Sequence, residues 1–293
     1  MRRRARRLAA AACLLLAACT GGGTGDDNGK DAGTLERLRA GGTARVGFAN
    51  EAPFAYRDPE TGRLTGEAPE IARVVLKRLG VDRVEGVLTE FGALIPGLKA
   101  GRFDLIAAGM YITPARCREI AFSNPTYRIG EAFLVARGNP LGLHAYADVA
   151  AHPKARLAVV AGAVELGYAR AAGVPEARIR VLPDPASAVA AVRAGRVDAY
   201  AGTVLTVETL LGKTGTDEVE RAAPFTDPVV EGKTVAGYGA FGFRKADVGL
   251  REAVNRELRA FLGTPAHLER VRPFGFSKAT LPGDATAKAL CAG

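Results

Sequence analysis

Residues Gly109 to Tyr127, GMYITPARCREIAFSNPTY, put an arginine where a helix begins. Thr113 is a good N-cap and Pro114 suits the first helical position. Arg116 then falls in the first turn, beside free backbone N–H groups. A helix N-terminus attracts anions, and a guanidinium fork can grip a carboxylate at two points. Tyr111 lies just before the cap and could lay its ring against whatever the arginine holds. Two readings stand on these residues alone: a carboxylate site at the C-terminal end of a strand, or a surface arginine on an ordinary strand-to-helix turn.

Four further places could add chemistry. NEAPFAY puts Glu51 and Phe54 just past an apolar run, and TEFGALIPGL puts Phe91 at the next strand-to-helix turn. AGAVELGY puts Gly162, Val164 and Glu165 at a helix start, and Thr203 follows another apolar run. In an open parallel sheet, ligands bind beyond the carboxyl ends of the strands, and all these positions fall at such ends. Each has a plainer reading: Phe54 and Phe91 as core rings, Glu51 and Glu165 as solvated or first-turn acids, Thr203 as a helix cap. Taken as a set they describe one ligand. Arg116 needs an anion, and three aromatic faces attract a desolvated cation by up to ~2 kcal/mol each. Two carboxylates accept hydrogen bonds from a cationic N–H. The expected ligand is a small zwitterion whose cation is delocalised or substituted.

The elements that must hold these residues alternate. Positions 44–48, 84–88 and 104–108 read as strands, with helices over 69–79 and 93–100 between them. Ile71, Val74, Val75 and Leu79 mark one face of the first helix. The rhythm resumes with strands at 156–160, 179–182 and 197–201 and helices at 164–172 and 186–194. This βαβαβ order implies an α/β fold with parallel sheets covered by helices. KAGRFDLIAAGM (99–110) is echoed by RAGRVDAYAGTV (193–204), which supports two lobes of similar design. The chain is expected to cross between them at 132–136 and at the Gly-rich run 234–243, where glycines would let a hinge bend. Lobe 1 is then 43–135 plus 240–293, and lobe 2 is 136–239. An amphipathic helix over 250–262 returns to lobe 1, and an irregular end from 273 wraps it.

The N-terminus reads as a processing segment. Five arginines at 2, 3, 4, 6 and 7 precede a short apolar run, and LAAC follows, ending at Cys19. This is the lipobox pattern, in which the cysteine is lipidated after a signal over 1–18 is removed. A Gly/Asp-rich tether over 19–42 would then lead to the folded part. The formal charge of +9 includes those five arginines, so the remainder carries +4, too little to suggest nucleic acid. Cys117 and Cys291 remain, and an exported compartment lets them pair; two free thiols are the alternative. His144, His152 and His267 are scattered and no CxxC occurs, so no metal or cofactor is expected.

The segment MYITPARCREIAFSNPTY resembles the Met-x-x-Thr-x-x-Arg…Phe-Ser-x-Pro-Tyr run of the extracellular solute-binding proteins of polar amino-acid ABC transporters (family 3). AGRFDLIAAGM and AGRVDAYAG add to the resemblance, which spans about 43–275. It implies a periplasmic-binding-protein-like type II fold, two Rossmann-like lobes with a two-strand hinge, and Arg116 on a ligand carboxylate. It also implies a monomer that is not an enzyme and that delivers its ligand to permease subunits.

Departures from the family pattern narrow the ligand. Thr203 stands where amino-acid binders commonly carry an Asp for the ammonium group. Gly162-Ala163-Val164 replaces Gly-Ser/Thr-Thr, and Glu165 follows it. Within the family, GFANEAPFAY, LTGEAPEIAR, AVVAGAVELGYA and RVLPDPASAVAAVRAGRVDAYAGT look most like the ectoine/5-hydroxyectoine-binding proteins. By that resemblance Phe54, Phe91 and Tyr111 form a cage, while Glu51 and Glu165 meet the ring N–H groups. A polar amino acid or a betaine is the alternative ligand. An exported dehydratase of the same fold, with Glu165 as its acid, is the enzymatic alternative.

Overall fold

Two mixed sheets wrapped by helices organise the computed structural model, which describes residues 33–292 apart from positions 216 and 231. The signal segment, Cys19 and most of the expected tether lie outside the described residues. The first stretch runs α1 (Thr34–Arg39), β1 (Ala44–Phe48), a ribbon of β2 (Tyr56–Arg57) and β3 (Leu64–Thr65), α2 (Glu67–Arg78), β4 (Val84–Leu88), α3 (Leu94–Lys99), β5 (Leu105–Tyr111), α4 (Pro114–Glu119), β6 (Ala121–Phe122) and β7 (Tyr127–Ile129). The second runs β8 (Glu131–Ala136), α5 (Tyr146–Ala151), β9 (Leu157–Val160), α6 (Glu165–Ala171), β10 (Ile179–Leu182), α7 (Pro185–Arg193), β11 (Ala199–Thr203), α8 (Val204–Thr214), β12 (Val219–Arg221) and a ribbon of β13 (Val229–Val230) and β14 (Lys233–Thr234). The chain then returns through β15 (Gly237–Phe243), α9 (Val248–Phe261), α10 (Pro265–Val271) and α11 (Ala287–Ala292).

The first sheet has the order β4-β1-β5-β15-β6, with β7 also paired to β15; the second is β10-β9-β11-β8-β12. In each, three strands of a βαβαβ unit are parallel, with Ala44 opposite Val84 and Leu157 opposite Ile179. The sheets are not parallel throughout. β15 runs against β5 and β8 against β11, because each enters its sheet from the other lobe without a crossover helix. β8 lies wholly in the second sheet and β15 wholly in the first. The chain therefore passes between them near Gly130 and near 235–236, a few residues before the boundaries expected at 135/136 and 239/240.

Three local corrections have physical causes. The expected tether ends before residue 42, since α1 packs Leu35 and Leu38 (5% and 1% exposed) into the first-lobe core. Thr34 also donates to Asp247 at 2.6 Å. Helix α2 starts at Glu67, two residues early, with Pro69 in its first turn, where a missing N–H loses no helical bond. The glycines of β15 serve close approach: a Cβ on Gly237 would lie 1.9 Å from the Tyr111 ring, and one on Gly239 2.1 Å from Tyr127.

The repeated sequence acquires a structural meaning. Asp104 accepts the Arg45 N–H (2.9 Å) and its guanidinium (3.2 Å), tying the start of β5 to β1. Asp198 accepts the Arg156 N–H (2.8 Å) and its guanidinium (3.1 Å), tying the start of β11 to β9. At the far end of the chain, expected to be irregular, α11 packs on α4 and Cys291 is disulfide-bonded to Cys117.

Candidate ligand-binding cleft

Helix α4 begins as its residues dictate, with Thr113 Oγ1 accepting the Arg116 N–H (3.2 Å) and Pro114 in the first turn. The guanidinium folds back over this cap. Its Nη1 donates to the Tyr111 carbonyl (2.8 Å), and its Nη2 reaches the second lobe to donate to the Gly162 carbonyl (2.8 Å). Its Cζ lies 5.5 Å from the centroid of Phe91. The lobes meet here through backbone. Gly162 has φ of 77°, and a Cβ on it would lie 2.5 Å from Gly92 Cα.

An aromatic wall follows from the same close packing. Gly109, at φ of 67°, leaves room for Phe54, whose ring would sit 2.6 Å from an added Cβ. Phe54 packs 5.3 Å from Tyr127 and 5.7 Å from Phe276, and Tyr111 lies 6.3 Å from Tyr127. Tyr127 donates to the Gly109 carbonyl (2.8 Å), whereas the buried Tyr111 hydroxyl has no partner. Phe54 and Tyr111 are thus core residues of the first lobe and also face the cleft.

The acids come from both lobes. Thr206 Oγ1 donates to Glu51 Oε1 (2.7 Å), and Thr203 Oγ1 caps α8 by accepting the Thr206 N–H (3.0 Å). Thr203 is therefore both a helix cap and a cleft residue. Burial pushes the Glu51 carboxyl upward, and its bond from Thr206 opposes this. Glu165, at the start of α6, has a buried Oε2 without a partner. Burial pushes it up to about 7 and the Glu51 charge adds to this, while its own backbone N–H and Arg116 pull it down. Burial in turn lowers Arg116, opposed first by Glu165.

All eight positions expected from the sequence (Glu51, Phe54, Phe91, Tyr111, Arg116, Val164, Glu165 and Thr203) line one cleft between the lobes. It encloses about 390 Å³ of space between atoms, counting the part open to solvent. Gly109, Val160, Ala163 and Tyr200 line it too, though the sequence reading left them in strands and turns. Two buried acids outside the cleft lining were also missed. Glu131 opens β8, and its only signal was a charge at the head of an apolar strand. Glu67 opens α2 and is 1% exposed, with neither carboxyl oxygen partnered. Burial pushes Glu67 up to about 8; the neighbouring Thr126 hydroxyl, 3.4 Å from the Gly239 carbonyl, only partly offsets it. Among the described residues no cluster of His, Cys, Asp and Glu suits a metal ion, and no helix is long and apolar enough to cross a membrane.

Comparison with known proteins gives a consistent picture. The family model for bacterial extracellular solute-binding proteins, family 3, matches residues 44–264. A probable amino-acid ABC transporter periplasmic-binding protein, y4tE of Sinorhizobium fredii, is 42% identical over 263 residues, covering 88% of this chain and 86% of that protein. The crystal structure of EhuB in complex with hydroxyectoine matches with a TM-score of 0.80 at 39% identity, covering 88% of this chain and 97% of that one. The ancestral amino acid-binding protein AncCDT-1, a precursor of cyclohexadienyl dehydratase, matches with a TM-score of 0.71 at 28% identity, covering 82% of this chain and 99% of that one. The fold is that of the type II periplasmic binding proteins, as the family resemblance implied.

Proposed function

The chain belongs to family 3 of the bacterial extracellular solute-binding proteins, and on that premise we propose that its ligand is ectoine or 5-hydroxyectoine. Its family and its relatives are solute-binding proteins of amino-acid-type ABC importers rather than enzymes. One observation carries the choice of ligand: a half-buried arginine, three aromatic rings, the half-buried Glu51 and the buried Glu165 line the same small cleft. Arg116 takes the carboxylate in two-point fashion. Phe54, Phe91 and Tyr111 surround the ring cation, and Glu51 and Glu165 accept its N–H groups. Similarity to EhuB, solved with hydroxyectoine, supports this reading.

The protein then works as a monomer, held at the outer face of a membrane through lipidated Cys19, and hands its ligand to permease subunits. Calorimetry with ectoine, hydroxyectoine, arginine, glutamine and proline betaine tests the ligand. Tight binding of the first two supports it; tight binding of arginine or glutamine with no ectoine binding refutes it. That second outcome would favour an α-amino acid, to which the name of the S. fredii relative points. Mass spectrometry of the membrane-associated protein, seeking a diacylglyceryl group on Cys19, tests the anchor.

A further inference from the structure

Glu131 is the first residue of β8 and stands opposite Thr203 in the antiparallel ladder. Directly opposed residues share a sheet face, so Glu131 lies on the face that Thr203 presents beside the cleft. It is 5% exposed, and neither of its carboxyl oxygens has a partner. Helix α6 brings the buried carboxyl of Glu165 against it, also with an unpartnered oxygen. The other groups facing Glu131 are Asp227, which accepts its backbone N–H at 2.8 Å, Glu51, and the phenols of Tyr111, Tyr127, Tyr146, Tyr168 and Tyr200. Glu165 faces Glu51, Tyr111, Tyr146, Tyr168 and Tyr200 as well, with Arg116 the cation acting on it. Two carboxyls this near each other and cut off from water do not both ionise. One O–H donated from one to the other gives both a partner and leaves a single charge.

Building on the ligand reading above, we propose that Glu131 is a positioning residue that keeps this proton and donates a hydrogen bond through it to Glu165, so that Glu165 meets the ligand cation as an ionised acceptor. Burial and the facing Glu165 push Glu131 well above the usual carboxylate range, while the bond from Glu131 lowers Glu165. A ligand cation beside Glu165 favours its ionised form, so binding in acid expels a proton. Affinity then rises with pH by up to about tenfold per unit below neutrality and levels off above it.

The test has two arms. In ligand-free protein labelled with ¹³C at glutamate carboxyls, titration from pH 5 to 9 should show, besides Glu67 titrating near 8, a carboxyl still protonated at pH 8 that is absent in Glu131→Gln. A second carboxyl, absent in Glu165→Gln, should titrate near neutrality. Both ionised at pH 7 overturns the proposal whatever the ligand. In calorimetry with hydroxyectoine across the same range, Glu131→Gln keeps a donor and should stay within about threefold of wild type at every pH. Glu131→Ala should move the acid limb upward and weaken binding at least tenfold at pH 7. An unmoved limb in Glu131→Ala, or tighter acid-side binding in Glu131→Gln, overturns it. Should no variant bind hydroxyectoine, the ligand reading fails on its own and the carboxyl titration still decides where the proton sits.

Discussion

Replacing Glu67 by Gln should make the protein more stable in mild alkali and change it little in acid. In the folded chain this carboxyl is buried without a partner and pushed up to about 8, against an ordinary 4.5. The folded state therefore holds the proton more tightly than the unfolded state. Below the ordinary value both states are protonated and ionisation has no effect. As pH rises toward the folded value the unfolded chain ionises freely while the folded one cannot, and stability falls. Each pH unit in that window is worth ~1.4 kcal/mol, so the whole effect reaches at most ~5 kcal/mol, a large share of a domain's ~5–15 kcal/mol. Water entering a loosened site would reduce the figure. An amide has no such titration. At pH 8.5, Glu67→Gln should exceed wild type by at least ~2 kcal/mol, or about 4–8 °C in Tm; at pH 5 the two should agree within ~1 kcal/mol. Urea denaturation at pH 5, 6, 7, 8 and 9 measures this. Glu51, Glu131 and Glu165 are raised in both proteins, so the difference between the two curves isolates Glu67. A difference that does not change with pH would refute the reasoning.

Arg116→Ala should weaken ligand binding by about 2–5 kcal/mol, at least thirtyfold by calorimetry, because it strips a desolvated carboxylate of its partner. Near-normal affinity would show the site is assigned wrongly. Gly162→Ala should cost ~1–2 kcal/mol of backbone strain at its positive φ and also push against Gly92, so affinity should fall while circular dichroism stays native. Tyr111→Phe removes a buried hydroxyl that has no partner and should leave affinity within about threefold and Tm unchanged or raised. Reducing the Cys117–Cys291 bond, which spans 174 residues, should lower stability by about 2–5 kcal/mol, seen as a fall in Tm with reductant.

The order of elements was legible because most of the βαβαβ strands are short, largely apolar runs alternating with helical patterns. Cleft positions were legible because they fall where those runs stop and a chemically distinctive side chain follows, as with Phe91 before α3 and Glu165 at the start of α6. Harder to read were residues whose role depends on what crosses over them. Tyr200 sits inside an apolar strand and looks like core; only the lobe-to-lobe packing shows its ring at the cleft. Glu131 and Glu67 head an apolar strand and a helix, places where a charge is ordinarily solvated, and nothing local says that another lobe or another loop buries them. The glycines of β15 read as bendable, although their partners are rings more than a hundred residues away in sequence.

The paired aspartates at the strand starts bear on how such a protein can change. Asp104 and Asp198 each fasten a lobe at the pole opposite the cleft. Substitutions at the ligand-facing pole therefore leave the two clamps untouched. A combinatorial library over the half-buried cleft positions Glu51, Phe91, Ala163 and Val164, with Arg45, Asp104, Arg156 and Asp198 held constant, should yield mostly folded proteins, and its members would differ in what they carry more than in whether they survive.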